Sequence, residues 1–185
     1  MGFEEIKEKI IVFVKEELLT LEPWILNASW EEKLPKLNAL RDKVKAQGLW
    51  LPQIPKEYGG LGLTNAQHGQ VSEVLGKSPY GHYCFNCQAP DAGNMEILIE
   101  FGTDQQKERY LTPLLNGAIR SCFAMTEPDF AGSNPVQMGT VATKQKGNYR
   151  INGHKWFTSG AIGAGFAIAM VVTNPKGTAH ERASM

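Results

Sequence analysis

The pattern of the sequence changes near Ile119, and this change limits the fold more than any other feature. Before it, apolar residues recur every three or four positions with Lys and Glu between them, which is typical of amphipathic helices. After it, short β-branched and aromatic runs alternate with glycines, which is typical of strands and turns. We therefore predict an α+β fold, with an all-helical domain at residues 1–118 and the start of a β domain at residues 119–185.

The composition narrows the class of protein. Hydrophobic residues make up 42% and charged residues 21%, which suits a globular chain with a core. The 19 basic and 19 acidic side chains cancel, so no basic excess points to nucleic acid. No apolar run reaches the roughly 20 residues that a membrane span needs. The N-terminus has neither a secretory signal nor a basic presequence, so we expect a cytoplasmic location.

The cysteines allow three interpretations. Cys84 and Cys87 form a C-x-x-C pair, and Cys122 stands apart. A zinc site needs further ligands at suitable spacing, and a redox pair usually lies in a βαβ unit, which this pattern lacks. We therefore favour buried, reduced thiols and predict no metal site.

Local signals place most of the elements. Capping boxes are expected where Ser29, Thr64 and Thr103 each precede a Glu or Gln by three residues, and Pro23 is expected to end the first helix. A further helix is expected at residues 91–101. The dipeptide Asn152-Gly153 predicts a tight turn between two strands. The strand candidates are Ser121–Thr126, Val136–Thr143, Tyr149–Ile151, Lys155–Ser159 and Phe166–Thr173, with a second turn at Lys146–Asn148.

Residues 123–133 and 151–160 are the candidate functional segments. Each joins a β-rich run to hydroxyls, small residues and an aromatic, which suits a flat cofactor with a phosphate tail. Structural alternatives stay open: Thr126–Pro128 as a strand end, Trp156 with Phe157 as a cross-strand pair, and Met95, Met125 and Met138 as core residues rather than an acyl pocket. Glu127, beside a proline, is interpreted as a surface or capping carboxylate rather than a catalytic base.

Several motifs, in order, resemble the acyl-CoA dehydrogenase family. They are Pro55–Gly62 (PKEYGGLG), Phe101–Lys107 (FGTDQQK), and Thr126–Pro128 (TEP) with Ala131–Ser133 (AGS). A further run, Gln88–Met95 (QAPDAGNM), is similar to the branch of family members 10 and 11. The resemblance implies a helical domain followed by an incomplete antiparallel β-barrel-like domain.

The resemblance also implies a chemistry. FAD would accept hydride during α,β-desaturation of an acyl-CoA thioester, with electron-transfer flavoprotein or a similar acceptor taking the electrons. The full-length protein is expected to be a homo-oligomer, without nucleic acid and without a membrane span. In the family the catalytic base lies on a later helical bundle, so we assign no catalytic residue and expect the chain alone to be inactive. The alternative is a non-catalytic acyl-CoA-binding or interaction fragment.

Site residues follow from matching the motifs position by position. Phe123, Ala124 and Met125 lead to Thr126, whose hydroxyl and main chain would meet the polar edge of the flavin. Gly132 and Ser133 would meet the pyrophosphate, and Ser133 also the acyl-CoA. The segment Asp129–Ser133 is one residue longer than the usual family pattern, which leaves the contact of Ser133 open.

The second motif depends on register. In the family this motif is a lysine, any residue, an aromatic, any residue and then a hydroxyl residue that hydrogen-bonds flavin N5. Counting from Lys155, the resemblance therefore implies Phe157 as the aromatic and Ser159 as the hydroxyl residue, with Thr158 also in the cofactor-binding set. In a strand, Phe157 and Ser159 would share one face and Trp156 and Thr158 the other. A shift of one residue would exchange the two sets.

Overall fold

The computed structural model describes residues 1–132, 134 and 136–185. The chain divides into two compact units, Met1–Ala92 and Gly93–Met185, here called the first and second units. This division follows the contacts between residues of the folded chain. The domain boundary predicted between residues 118 and 119 follows the sequence pattern instead and stays a prediction. Within the described ranges, no helix combines the length and the hydropathy that crossing a membrane requires.

Several helices begin and end close to their predicted signals. Residues 91–101 form one helix as predicted. Capping boxes are confirmed at Ser29 with Glu32, Thr64 with Gln67 and Thr103 with Gln106. The helices are α1 (Phe3–Phe13), α2 (Leu19–Asn27), α3 (Trp30–Ala46), α4 (Asn65–Leu75), α5 (Gly81–Cys84), α6 (Asp91–Phe101), α7 (Asp104–Gln106) and α8 (Thr112–Leu115), with π-helical turns at Val14–Leu18 and Lys107–Leu111 and a 3-10 turn at Lys56–Tyr58.

Pro23 does not end a helix, contrary to the prediction. It lies inside α2, which continues to Asn27. A proline inside a helix removes one backbone hydrogen bond and costs about 3 kcal/mol. Ile25, two residues further on, is fully buried, and burying such a side chain contributes about 1.5–3 kcal/mol. The Asn27 side chain also donates to the Pro23 carbonyl at 2.7 Å. Tertiary packing therefore offsets most of the local cost.

The core of the first unit explains the apolar spacing of its first helices. Ile6, Ile10, Phe13 and Leu18 are all buried, as their spacing predicts. Phe13 meets Phe85 edge-to-face, with ring centroids 5.5 Å apart.

All three cysteines are buried free thiols, as expected. Burial raises the pKa of both Cys84 and Cys87 to about 12, so neither thiol is ionised near neutral pH. Among the described residues, no cluster of His, Cys, Asp and Glu is able to hold a metal ion.

The strands pair in mixed directions, which corrects the antiparallel prediction. β1 (Arg120–Ala124) lies parallel to β4 (Ala164–Ala169). β2 (Val141–Gln145) pairs antiparallel with β3 (Asn148–Asn152) and parallel with β5 (Val171–Val172). β5 in turn pairs antiparallel with β6 (Ala183–Ser184). Within the part of the chain that the structure describes, the strands form separate sheets and no closed barrel.

The predicted hairpin at Asn152-Gly153 is also wrong. The β2–β3 turn is Lys146-Gly147, which confirms the second turn predicted at Lys146–Asn148, and both residues have positive φ as a two-residue turn of type I′ requires. Residues 155–158 are irregular rather than a strand. Gly153 has a different role, because a Cβ there would lie only 2.2 Å from the Thr140 hydroxyl oxygen. Close packing, and not turn geometry, therefore requires this glycine.

Two helical glycines of the first unit should respond in opposite ways to the same substitution. A Cβ on Gly81 would lie 2.0 Å from the Leu75 carbonyl oxygen, whereas nothing lies within 4 Å of a Cβ on Gly69. We expect Gly69→Ala to raise the free energy of unfolding by about 1 kcal/mol through helix propensity. Gly81→Ala should lower it by about 1–3 kcal/mol through overpacking. Urea unfolding measures both, and changes of the same sign would contradict the steric argument.

Candidate functional site

The two candidate segments meet in the second unit. Trp156 N–H donates to the Thr126 carbonyl at 3.1 Å, and the Thr126 hydroxyl donates to the Trp156 carbonyl at 3.1 Å. Thr126 follows β1 and Trp156 follows β3, so this pair of bonds joins residues 30 positions apart in the sequence. We call it the Thr126–Trp156 bridge. It places Phe157, the next residue, beside Thr126, as the cofactor hypothesis requires.

Phe157 and Trp156 present aromatic surface to solvent. Their side chains are 79% and 41% exposed, and their ring centroids lie 4.5 Å apart. Phe157 has φ +48°, the left-handed region, which a bulky residue adopts only when its surroundings hold it there. The backbone therefore does not alternate faces as a strand would. The prediction that Phe157 and Ser159 lie on one face of a strand is therefore wrong. That both residues contact the cofactor stays a prediction.

The hydroxyl residues after Phe157 lie in a turn. Ser159 is exposed and Thr158 is partly buried, and the Thr158 carbonyl accepts from Ala161 N–H at 3.2 Å. Their hydroxyls are therefore carried by a loop beside the bridge rather than by a strand.

The other predicted residues lie around the same bridge or along β1. Phe123 and Ala124 are in β1, opposite Ile168 and Ala169 of β4. Gly132 lies close against Thr126, since a Cβ on it would be 2.2 Å from the threonine methyl carbon. Ser133 lies outside the described residues.

Glu127 is not a surface carboxylate, which corrects the sequence-based interpretation. Its side chain is only 4% exposed and forms an ion pair with Lys155 at 2.8 Å. Gly139 N–H donates to its Oε2 at 2.6 Å, and Thr140 N–H donates to its Oε1 at 2.9 Å. Burial alone would raise the pKa of Glu127, but hydrogen bonds from Lys155, Thr140 and Gly139 outweigh it and lower the pKa to about 2.

Sequence reasoning missed the ion pair because its partners are 28 positions apart. Lys155 was used only to set the register of the motif at residues 155–159, and no partner was predicted for its charge. The available signal was that Glu127 follows Thr126 and Lys155 precedes Trp156, so two segments expected to meet each carried one charge of opposite sign.

A separate cavity of about 720 Å³ lies elsewhere in the second unit. The end of α6, Tyr110, Phe166–Met170 and Ala183–Met185 contribute to its lining. None of the described residues predicted to bind the cofactor lines this cavity. The bridge is instead an open surface site.

The residues at the bridge fit a flavin. An exposed aromatic pair offers a flat apolar surface, and hydroxyls and main-chain groups stand beside it. The close approach of Gly132 to Thr126 leaves no room for a Cβ, so the main chain at Gly132 lies near the bridge. The ion pair neutralises the Glu127 charge, which would otherwise repel an anionic cofactor.

Comparisons with known proteins agree with these features. The family model described as "Acyl-CoA dehydrogenase, N-terminal domain" matches residues 3–118, and "Acyl-CoA dehydrogenase, middle domain" matches residues 122–185. Mouse acyl-CoA dehydrogenase family member 10 is 41% identical over 96% of this chain and 18% of its own length. A probable acyl-CoA dehydrogenase of Mycobacterium tuberculosis is 43% identical over 82% of this chain and 37% of its own length.

Solved structures share the fold. A protein from Mycobacterium abscessus assigned as an acyl-CoA dehydrogenase superimposes with a TM-score of 0.91 and 34% identity, over 99% of this chain and 49% of that one. The FAD complex of PigA superimposes with a TM-score of 0.73 and 27% identity, over 94% of this chain and 44% of that one. The chain thus spans about half or less of the length of each of these four proteins.

Proposed function

Because the chain belongs to the acyl-CoA dehydrogenase family, we propose that it provides the FAD-binding surface of an enzyme that desaturates acyl-CoA thioesters. The Thr126–Trp156 bridge carries this proposal, since it brings an exposed aromatic pair, hydroxyls and a close glycine to one place. The FAD complex of PigA, which shares the fold, supports the choice of cofactor.

The residues at the bridge take distinct roles in the proposal. Phe157 offers its exposed ring to the flat face of the flavin. The Thr126 hydroxyl already donates its hydrogen to Trp156, so its oxygen is suited to accept a hydrogen bond from the flavin edge. Ser159 supplies a hydroxyl on the following turn, and Thr158 contributes its main chain rather than its hydroxyl. Bound FAD would accept the hydride that leaves the substrate.

Glu127 is unsuited to removing the substrate α-proton. Its oxygens already accept hydrogen bonds from Lys155, Gly139 and Thr140, and its pKa of about 2 makes it a weak base. The proposal therefore includes a base contributed by residues outside this chain. The greater length of the matched relatives supports that arrangement. We also propose fatty acid oxidation as the wider role of this desaturation. Electron-transfer flavoprotein as acceptor, homo-oligomer formation and a cytoplasmic location stay predictions.

Titration with FAD tests the proposal and the register together. We expect the chain to bind FAD, and Ser159→Ala to weaken the affinity about fivefold through loss of one hydrogen bond. Thr158→Ala is the matched control, with less than a twofold effect. Quenching of flavin fluorescence gives the dissociation constant.

Each other result has a clear meaning. A strong effect of Thr158→Ala with none from Ser159→Ala would overturn the register. If the chain binds a CoA thioester but no FAD, the proposal that it provides an FAD-binding surface is contradicted. That result would favour a non-catalytic acyl-CoA-binding fragment.

A further inference from the structure

The buried Glu127–Lys155 pair connects three segments around the bridge. Lys155 Nζ donates to the Met125 carbonyl at 2.8 Å, to Glu127 Oε1 at 2.8 Å and to Met138 Sδ at 3.1 Å. Glu127 in turn accepts from the main chain of residues 139 and 140. We infer that this pair is a positioning device that sets the geometry of the Thr126–Trp156 bridge, and through it the flavin surface; the second part rests on the proposed function.

Position in the sequence supports a specific role rather than general stability. Glu127 directly follows Thr126, and Lys155 directly precedes Trp156. Each side of the bridge is therefore joined by one peptide bond to a charge of the pair. Because both bridge hydrogen bonds lie between residues adjacent to the pair, a change in the distance between the two charges would act on those bonds first.

The hydrogen-bonding capacity of both side chains is used within the protein. The ammonium group of a lysine has three hydrogens, and Lys155 directs donors to a carbonyl, a carboxylate and a thioether. The two side chains are only 13% and 4% exposed. Neither is suited to contact a cofactor, so both act through Thr126 and Trp156.

The left-handed backbone conformation of Phe157 has to be restrained by its neighbours, and the Glu127–Lys155 pair contributes to that restraint. A bulky residue at φ +48° relaxes to another region unless its neighbours restrain it. Trp156, immediately before it, is restrained by the bridge, and Lys155 before that by the ion pair. The exposed position of the Phe157 ring thus depends on two restraints on the preceding residues: the bridge at Trp156 and the ion pair at Lys155.

The test compares Lys155→Met with Asn94→Ala in the 185-residue chain. Asn94 is buried in the same unit and donates to Ser121 Oγ and the Cys122 carbonyl, so its loss destabilises the unit without touching the bridge. Hydrogen–deuterium exchange of the Trp156 amide and the dissociation constant for FAD are measured in each variant.

We expect Lys155→Met to speed exchange of the Trp156 amide about tenfold more than Asn94→Ala does, because a broken bridge exposes that amide. FAD affinity should fall about tenfold with Lys155→Met and less than twofold with Asn94→Ala. Should Lys155→Met fail to fold, Lys155→Arg, which keeps the charge and changes the donor geometry, replaces it. For Lys155→Arg we expect the exchange rate of the Trp156 amide and the dissociation constant for FAD each to be about threefold higher than in Asn94→Ala.

The outcomes separate the two proposals. Equal Trp156 exchange in the lysine and asparagine variants would overturn the positioning role, whether or not FAD binds. A wild-type chain that binds no FAD would contradict the proposed function, while amide exchange would still decide whether the pair sets the bridge geometry. Faster exchange with unchanged FAD affinity would contradict the link from the bridge to the flavin surface.

Discussion

The second unit is expected to lose about 3 kcal/mol of unfolding free energy through Glu127 as the pH falls from 7 to 2. The pKa of Glu127 is about 2 in the folded protein, below the ordinary value of 4.5. The folded state therefore binds this proton less readily than the unfolded state. The stabilisation is fully present above pH 4.5 and is lost as the pH falls towards 2.

Urea unfolding at several pH values, in the wild type and in Glu127→Gln, isolates this effect. Other carboxyls also titrate, including Glu5 and Glu32, whose pKa values are lowered by hydrogen bonds from Lys9 and Ser29, respectively. Their contribution is common to both proteins and cancels in the difference. The difference should be largest at pH 7 and should shrink towards pH 2. Two parallel pH profiles would contradict the assigned pKa.

Leu18→Ala should destabilise the first unit by about 3 kcal/mol. The Leu18 side chain is fully buried, in the π-helical turn that joins α1 to α2. Truncation removes transfer free energy and leaves a cavity, and buried Leu→Ala substitutions cost roughly 2–5 kcal/mol.

Leu26→Ala is the matched control, since the same side chain in the same unit is 56% exposed. We expect its effect to stay within about 0.5 kcal/mol. Urea unfolding followed by circular dichroism compares the two variants. Similar losses would mean that Leu18 does not belong to the close-packed core.

The candidate site shows why the segments that meet were easier to predict than their local geometry. The motifs locate Thr126 and Phe157 by type and order, and the structure brings them together. Whether the second segment is a strand or a loop depends on the bridge, on the ion pair and on the packing of Gly153 against Thr140. Each of these contacts joins distant parts of the chain, and none has a local sequence pattern.

Turn positions illustrate the same limit. Asn152-Gly153 is the stronger local signal for a two-residue turn but forms no hairpin, whereas the turn predicted at Lys146–Asn148 is confirmed, since Lys146-Gly147 joins β2 to β3. Both dipeptides contain a glycine able to take positive φ. The β2–β3 register, with Gln145 opposite Asn148, places the turn at Lys146-Gly147, so the strength of a local turn signal does not decide where the chain reverses.

Local sequence determined where several helices of this protein begin and which face of the first helix is buried. A capping box at Thr64 or Thr103 satisfies amides only three residues away, and the spacing of Ile6 and Ile10 defines a buried face without reference to the rest of the chain. Tertiary structure decided the mixed strand directions, the continuation of α2 through Pro23 and the burial of Glu127 against Lys155. Those outcomes depend on contacts between distant segments, whose free energies outweigh the local preferences that a sequence displays.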